Sequence, residues 1–265
     1  MGRSVGRRRG AVLVAVTLVA LAPAFAPVAV ASRQGPPPTP SPADVPERVF
    51  SAPHGLRLSV KEVGPTGQPA DLQIITLFDE ASGQAFTGSM VELDERLGGA
   101  LSAVRDSGQF RAAALETLMI TPPPGAVAAE RLLLIGLGDA RQADLELMNR
   151  VGAVAAREAV RTRSATVAFA PTLRDQGFTR LDTGQVAAEV IEGALLAYDT
   201  DARLQRQGLQ PCFALRRWYY EAGAAYFAGV AEQAGRAVEA AAAQMDQRGD
   251  TLFGRTGPAA TACRT

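Results

Sequence analysis

The feature that most constrains this chain is an apolar strand that runs into a glycine turn and then into a helix, within residues 131–161. Four apolar residues at 132–135 lead directly into the sequence GLGD at 136–139, and apolar residues then recur at helical spacing over 144–161. A buried strand, a tight turn and a crossover helix form the basic unit of an α/β domain. The sequence therefore predicts an α/β fold.

The remainder of the central region repeats this alternation of strands and helices. Runs of apolar residues predict strands, and apolar residues that recur every three to four positions predict helices. The predicted strands are 56–63, 71–78, 115–120 and 165–170, and the further predicted helices are 88–105 and 183–204. Strands that alternate with crossover helices indicate a parallel or mixed sheet with helices on both faces.

An alanine-rich segment at 218–245 carries apolar and aromatic residues near helical spacing. It predicts one long amphipathic helix, or two shorter helices that break near Gly229 or Gly235. Residues 209–248 are accordingly assigned to a helical extension of a domain that spans 49–208.

The chain begins with a segment that is typical of a secretory signal peptide. A basic start is followed by apolar residues at 11–26 and by an A-x-A cleavage site that ends at Ala31. The alternative is an uncleaved membrane anchor, but Pro23 and Pro27 interrupt the apolar run, which leaves fewer than the ~20 residues that span a bilayer. We therefore predict removal of residues 1–31, a periplasmic or extracellular product, and no stable membrane span after cleavage.

Two further segments are predicted to lie outside the fold. Residues 32–48 are rich in proline and predict a solvated linker, and residues 249–265 are predicted to be disordered. Cleavage after residue 31 changes the formal net charge from 0 to −4, because the leader holds four arginines and no acidic residue. A mildly acidic chain argues against nucleic acid or an anionic membrane as its partner.

The chain contains two cysteines, Cys212 and Cys263. In an oxidising compartment such a pair can form a disulfide, which would join the C-terminal tail to the region after Gly208. The alternative is a pair of free thiols. Neither cysteine lies in a CxxC motif or near a histidine, which argues against a metal site or a catalytic thiol.

Few residues are suited to catalysis. His54 is the only histidine and has no obvious partner, which argues against a histidine-based triad or a histidine-rich metal site. The paired carboxylates Asp79-Glu80 and Asp94-Glu95 are expected to lie in solvated turns, although Asp79 ends a strand, where ligands often bind. We therefore predict no catalytic residue, no metal ligand and no cofactor.

The glycine turn is the best candidate for a small-molecule site. Gly136 and Gly138 precede a predicted helix, and backbone N–H groups at a helix N-terminus can hold an anion. Asp139 opposes this interpretation, since its carboxylate lies where a phosphate would bind and can itself cap the helix. Close packing of the strand against the helix is the favoured interpretation of these glycines.

A cationic and aromatic cluster at Arg216, Arg217, Trp218 and Tyr219 is a candidate interaction surface. Such pairs of side chains are common where a protein contacts a partner or a glycan. The same residues are equally consistent with the start of a helix that docks on the sheet. The sequence leaves both interpretations open.

Residues 89–207 resemble the N-terminal domain of the leucyl aminopeptidase family of metallopeptidases. The matching segments are, in order, LDERLGGAL at 93–101, ETL at 116–118 before a proline run, RLLLIGLG at 131–138, GAVAAR at 152–157 and EGALLAY at 192–198. Five segments in the family's order, at sensible spacing, are more specific than any one of them.

The resemblance implies a macro-domain-like, three-layer α/β/α sandwich, but it does not imply ADP-ribose binding, because a fold does not fix a function. In the family, the peptidase chemistry belongs to a separate C-terminal domain that holds two metal ions and carries an NTDAEGR signature. The residues after 207 are too few for such a domain. The string DTDARL at 199–204 lacks three residues of the signature, and Lys61 cannot be carried over as the metal-site lysine.

These observations lead to one principal hypothesis and two alternatives. The principal hypothesis is an exported, non-catalytic binding or scaffolding module with a protein partner, or with self-association through the helix at 218–245. The first alternative is a nucleotide-like small-ligand binder or enzyme that uses the turn at 136–139. The second is the regulatory half of a split metallo-aminopeptidase.

Overall fold

The structure is a computed structural model that describes residues 45–82 and 85–248. Within these residues the strands are β1 (Glu47–Ser51), β2 (Arg57–Lys61), β3 (Leu72–Phe78), β4 (Thr117–Ile120), β5 (Leu132–Gly138), β6 (Thr166–Ala170) and β7 (Arg217–Glu221). The α-helices are α1 (Gly88–Arg96), α2 (Ala100–Asp106), α3 (Leu145–Arg161), α4 (Thr183–Arg206) and α5 (Phe227–Gln247). The predicted signal peptide, most of the predicted linker and the predicted C-terminal tail lie outside the described residues.

The strands form one mixed sheet in the order β1-β2-β7-β6-β3-β5-β4. The five inner strands are parallel, and the two edge strands run antiparallel to their neighbours. The carboxyl ends of β2, β7, β6, β3 and β5 therefore meet at one edge of the sheet. Connections leave β3 and β6 in opposite directions, and such a switch point is where open α/β sheets commonly bind ligands.

Helices cover both faces of the sheet because its central strands are apolar along their whole length. Every residue of β3 and of β5 is buried. One apolar cluster packs α3, α4 and α5 against the first face, and a second cluster packs α1 and α2 against the other. The predicted three-layer α/β/α sandwich is thus confirmed.

The backbones of α3 and α4 touch at two glycines. A Cβ atom on Gly152 would lie 2.0 Å from the carbonyl oxygen of Val190, and one on Gly193 would lie 1.9 Å from that of Asn149. Neither distance leaves room for a methyl group. The glycines of the GAVAAR and EGALLAY segments are therefore required by helix packing.

The sequence predicted most elements correctly, including the strands that became β2 to β6. The predicted helix at 88–105 is broken into α1 and α2, because Gly98 and Gly99 both adopt left-handed backbone conformations, with φ of 67° and 81°. The edge strand β1 was not predicted and begins inside the segment that was interpreted as linker.

The predicted helix at 218–245 is wrong in its first part. Residues 217–221 form strand β7 between β2 and β6, and the helix begins only at Phe227 and continues through Gly229 and Gly235. The apolar stripe of α5 is buried against α4 and the sheet. The predicted C-terminal amphipathic helix is therefore present as α5, and it packs on α4 and the sheet as part of the sandwich.

Among the residues that the structure describes, none of the helices combines the length and the apolar character that a membrane span requires.

We expect Gly193→Ala to lower the free energy of unfolding by about 1–3 kcal/mol or more, because the added methyl group forces α3 and α4 apart. Urea denaturation monitored by circular dichroism measures this loss. Gly229→Ala is the matched control, since its Cβ atom would meet nothing within 4 Å. Alanine is the better helix former, so the control should gain up to about 1 kcal/mol. Equal effects of the two changes would contradict the packing interpretation.

Candidate functional site

The amides of both glycines in the predicted turn donate to other parts of the chain. Gly136 N–H donates to the Glu116 carbonyl and Gly138 N–H donates to the Ala112 carbonyl, each at 2.8 Å. Both glycines belong to β5, and a short 3-10 turn separates them from the start of α3. The two glycine amides that the sequence offered to an anion are therefore engaged by the protein, and ligand binding at this turn stays a prediction.

Packing explains the glycine at position 136. A Cβ atom there would lie 2.1 Å from the Ala113 carbonyl oxygen, so the chain at 112–114 approaches the strand too closely for any side chain. Asp139 caps the following 3-10 turn by accepting from Arg141 N–H at 2.8 Å, and it pairs with the Arg141 guanidinium. The hydrogen bonds from Arg141 lower the pKa of Asp139. The favoured interpretation of close packing and capping fits these contacts.

The cluster at 216–219 is only partly at the surface, because it enters the sheet. Trp218 is 1% exposed and stacks on Phe169 of the neighbouring strand, with ring centroids 6.1 Å apart. Tyr219 is also buried, and its hydroxyl accepts from the exposed Arg217. Arg216 is exposed as well. The aromatic residues of the predicted interaction surface are thus core residues, and the idea of a helix start here is also wrong.

The cysteine pair stays a prediction. Cys212 is exposed in the connection between α4 and β7, whereas Cys263 lies outside the described residues.

The paired carboxylates serve local structure. Asp79 accepts hydrogen bonds from the amide and hydroxyl of Ser82, and Asp94 accepts from the amides of Leu101 and Ser102 at the start of α2. Within the described part of the chain, no group of three or more His, Cys, Asp or Glu residues is arranged to hold a metal ion.

His54 has a partner that the sequence did not reveal. Its Nε2 atom lies 2.9 Å from Asp199 Oδ1, across 145 positions of the chain. The Asp199 carboxylate is buried and also pairs with Arg203 at 2.8 Å and with Arg248 at 3.3 Å. The cluster therefore connects the turn after β1 and the end of α5 to the C-terminal half of α4.

These contacts also explain the string at 199–204 that looks like part of a metal signature. Burial favours a higher pKa for Asp199, but hydrogen bonds from Arg203 and His54 outweigh it and hold the pKa below its usual range. Both carboxylate oxygens are occupied, Oδ1 by His54 and Oδ2 by Arg203. The string is a stretch of α4, and Asp199 acts there as a structural anion.

A cavity of about 370 Å³ opens at the carboxyl edge of the sheet. Its wall combines the segments that follow β2, β6 and β7 with the first turns of α1, α4 and α5. The volume lies within the range of small-molecule sites, and the location is next to the switch point of the sheet. The glycine turn at 136–139 does not line it.

The charged groups of the cavity are mostly acidic. Its described lining includes Glu62, Asp175 and Glu221, with Arg174 as the basic residue. Asp175 accepts from the amide and hydroxyl of Ser89 at the start of α1. Arg174 donates to two backbone carbonyls, so its guanidinium is already engaged by the protein.

Glu221, the last residue of β7, is the most buried carboxyl group of the cavity, at 4% exposure. Its Oε2 accepts from Gln73 Nε2 at 3.2 Å, whereas Oε1 has no hydrogen-bond partner among the described residues. Burial raises the pKa of Glu221 to about 8, against weaker opposing effects of Gln73 and Lys61. The side chain is therefore largely neutral at pH 7, and its Oε1 is a buried oxygen that accepts no hydrogen bond from the described residues.

A second buried polar atom of the cavity lining also lacks a partner. The hydroxyl of Tyr220 makes no hydrogen bond within the described part of the chain, and burial raises its pKa. Sequence reasoning missed both groups, because the aromatic run before Glu221 was interpreted as the start of a helix. The available signal was Glu221 itself, a charged residue that follows a run of aromatic residues typical of a strand.

Residues 74–208, half of the chain, match the cytosol aminopeptidase family, N-terminal domain. A probable cytosol aminopeptidase of Thermosynechococcus vestitus is 30% identical over 144 residues, 53% of this chain and 28% of that protein. One from Roseiflexus castenholzii is 32% identical over 142 residues, 53% of this chain and 25% of that protein. The chain thus spans about a quarter of the length of these curated relatives.

Solved structures agree at the level of fold. A leucine aminopeptidase mutant from tomato superposes with a TM-score of 0.53 at 20% identity, covering 73% of this chain and 37% of that one. A macrodomain of Oceanobacillus iheyensis with MES bound gives a TM-score of 0.51 at 11% identity, covering 74% and 99%. The macro-domain-like character of the predicted fold is therefore confirmed.

We expect Asp199→Asn to lower the free energy of unfolding by about 3–5 kcal/mol, because it leaves the buried Arg203 without its counter-charge. Because the folded-state pKa is lowered, the stabilisation by Asp199 is present above its unfolded pKa and is lost as the pH falls through the folded value. Chemical denaturation at neutral and acidic pH measures both effects. Glu232→Gln, in an exposed pair with Arg236, is the control and should cost less than about 1 kcal/mol. A loss that is independent of pH would contradict the role of the ion pair.

We expect the stability of the wild type to fall relative to Glu221→Gln as the pH rises from the ordinary glutamate value of 4.5 to about 8. In this window the folded state binds a proton that the unfolded state has lost, so the slope approaches about 1.4 kcal/mol per pH unit. Denaturation curves across the window measure it. Tyr220→Phe removes a neighbouring unpartnered atom and should keep the wild-type slope. Parallel curves for the wild type and Glu221→Gln would show that Glu221 is not held neutral.

Proposed function

This chain belongs to the cytosol aminopeptidase family through that family's N-terminal domain, and we propose that it acts as an exported, non-catalytic binding module. The non-catalytic part is supported by the region of the match, residues 74–208, in which Asp79, Asp94, Asp139 and Asp199 each support local structure. Export is supported by the signal-like sequence at 1–31.

The observation that carries the binding role is the cavity at the carboxyl edge of the sheet. It has the volume of a ligand site and a mainly apolar wall, and two of its lining residues, Tyr220 and Glu221, each carry a buried polar atom that lacks a partner among the described residues. Buried polar atoms without partners are rare in native proteins because each costs about 1–3 kcal/mol. A bound molecule that supplies partners would offset this cost.

A scaffolding role through a broad apolar interface is less well supported. The large exposed hydrophobic side chains of the described residues are Val49, Val91, Leu209 and Tyr226, and they belong to four different segments. Isolated exposed hydrophobic residues are normal on a monomer. We therefore expect a protein partner, if one binds, to insert a small group into the cavity, which Tyr226 helps to line.

We expect a small-molecule library to yield compounds that raise the thermal stability of the mature protein, residues 32–265. A compound at 100 times its dissociation constant adds about 2.7 kcal/mol. Gly223→Leu should abolish the effect, since Gly223 lines the cavity and its Cβ atom would make only an ordinary 3.8 Å contact with Tyr226. Gly229→Leu places the same side chain in open space on α5, outside the cavity lining, and should leave binding unchanged.

Two results would overturn the proposal. If stabilising compounds act equally on Gly223→Leu, the cavity is not the binding site. If the purified protein releases leucine from a leucyl anilide in the presence of Mn²⁺ or Zn²⁺, the module is catalytic. A panel that includes ADP-ribose tests the nucleotide alternative in the same assay.

A further inference from the structure

We infer that the cavity at the carboxyl edge binds an apolar molecule that carries a protonated amine, with Glu221 as the group that receives the ammonium. This inference rests on the proposed binding function and adds the chemical class of the ligand. It depends on the position of Glu221, the charges around it and the character of the cavity wall.

Glu221 belongs to the cavity lining and has one buried carboxyl oxygen without a partner among the described residues. The side chain is 4% exposed at the end of β7 and lines the cavity. Gln73 occupies Oε2, and Oε1 has no partner among the described residues. Lys61 lies opposite Glu221 in the register of β2 with β7, but its Nζ atom sits over the ring of Tyr219 at 5.7 Å. An ammonium group supplies the donors that this carboxyl group lacks.

The surrounding charges favour a cation over an anion. Glu62 and Asp175 add two carboxylates to the lining, and the guanidinium of Arg174 donates to the carbonyls of Phe178 and Leu181. The first turns of α1 and α4 also contribute to the wall, where a helix N-terminus ordinarily favours an anion. Asp175 already satisfies the start of α1.

Asp182 fills the same role at the start of α4, where its carboxylate accepts from Gln185 N–H at 2.9 Å. A phosphate or carboxylate ligand would therefore face like charge, and at α1 and α4 it would face helix ends that are already capped. The rest of the wall is largely apolar and aromatic. These residues are Val63, Pro65, Ala170, Pro171, Leu173, Val186, Tyr220, Ala222, Tyr226 and Val230. The complementary molecule is a compact hydrocarbon group with one ammonium.

Binding of such a ligand is coupled to a proton. Near pH 7 Glu221 carries a proton because its pKa is raised to about 8. The ammonium pairs with the ionised carboxylate, so the Glu221 proton passes to the buffer while the amine keeps its own. The charged groups that face or line this region are Lys61 on β2, Glu62 after it, and Arg174 and Asp175 after β6, with Tyr219 and Tyr220 on β7.

The test uses three probes of the same shape: benzylamine, benzyl alcohol and benzoate. Isothermal titration calorimetry of the mature protein at about pH 7, in two buffers of different ionisation enthalpy, measures both affinity and proton release. We expect benzylamine to bind at least tenfold more tightly than the other two probes and to release close to one proton per molecule bound. As the pH is raised toward 8, the affinity for benzylamine should increase by up to about tenfold per pH unit, because a larger fraction of Glu221 is ionised.

Variants separate the anchor from its surroundings. Glu221→Gln should weaken benzylamine at least tenfold and abolish proton release, while benzyl alcohol changes little. Glu232→Gln removes an exposed carboxylate on α5 that is outside the cavity lining, and it should retain both proton release and affinity. The comparison of the three probes on the wild-type protein already tests the inference. The test therefore remains valid if the Glu221→Gln protein fails to fold.

The outcomes distinguish this inference from the proposed function. Tighter binding of benzyl alcohol or benzoate, or binding of benzylamine without proton release, would overturn the amine inference while the cavity remains a binding site. Binding of benzylamine that survives in Gly223→Leu would overturn it as well, because the probe would then lie elsewhere. Absence of binding by all three probes would also reject the amine inference, and the library screen would then decide the proposed function.

Discussion

The contact between the backbones of α3 and α4 sets the geometry of one whole face of this molecule. The two helices approach so closely at Gly152 and Gly193 that a carbonyl oxygen of each occupies the place of the other's missing side chain. Through this contact the position of α4 on the sheet is fixed, and α5 packs in turn against α4. The first turn of α4 lines the cavity, and its later part carries Asp199. A wider spacing of the helices would displace both.

The parts of the fold that the sequence predicted are those in which local pattern and tertiary environment agree. Residues 132–135 predict a buried strand, and the observed strand, Leu132–Gly138, is buried along its whole length. The pattern fails at 217–221, where Arg217, Trp218 and Tyr219 precede an alanine-rich helix and merge with its spacing. A fully buried strand has apolar residues on both faces, so it loses the alternation that separates it from a helix. Only the neighbouring strands β2 and β6 decide the matter.

The candidate cavity could not be predicted from the sequence for a related reason. Glycines ahead of a helix suggest a ligand because they free the backbone, yet at Gly136 the space is taken by another segment of this chain. His54 and Asp199 lie 145 positions apart, so no local pattern joins them. Glu221 ends a strand that was not predicted, and its significance comes from burial. Sites made by long-range packing around single polar residues leave little trace in a sequence without an alignment.

The position of β7 in the sheet has a consequence for how the chain assembles. Strands β1 and β2 precede all the others in sequence, yet β2 joins the rest of the sheet through β7, which forms near the other end of the described chain. The first hairpin therefore has no place to dock until more than 150 further residues have been made available. Pairings of such long sequence separation form slowly, because the loop entropy is lost before the contacts are gained. The pairing of β2 with β7 is therefore expected to form last. Until β7 is available, the edge of β2 that pairs with it is open to binding by other proteins.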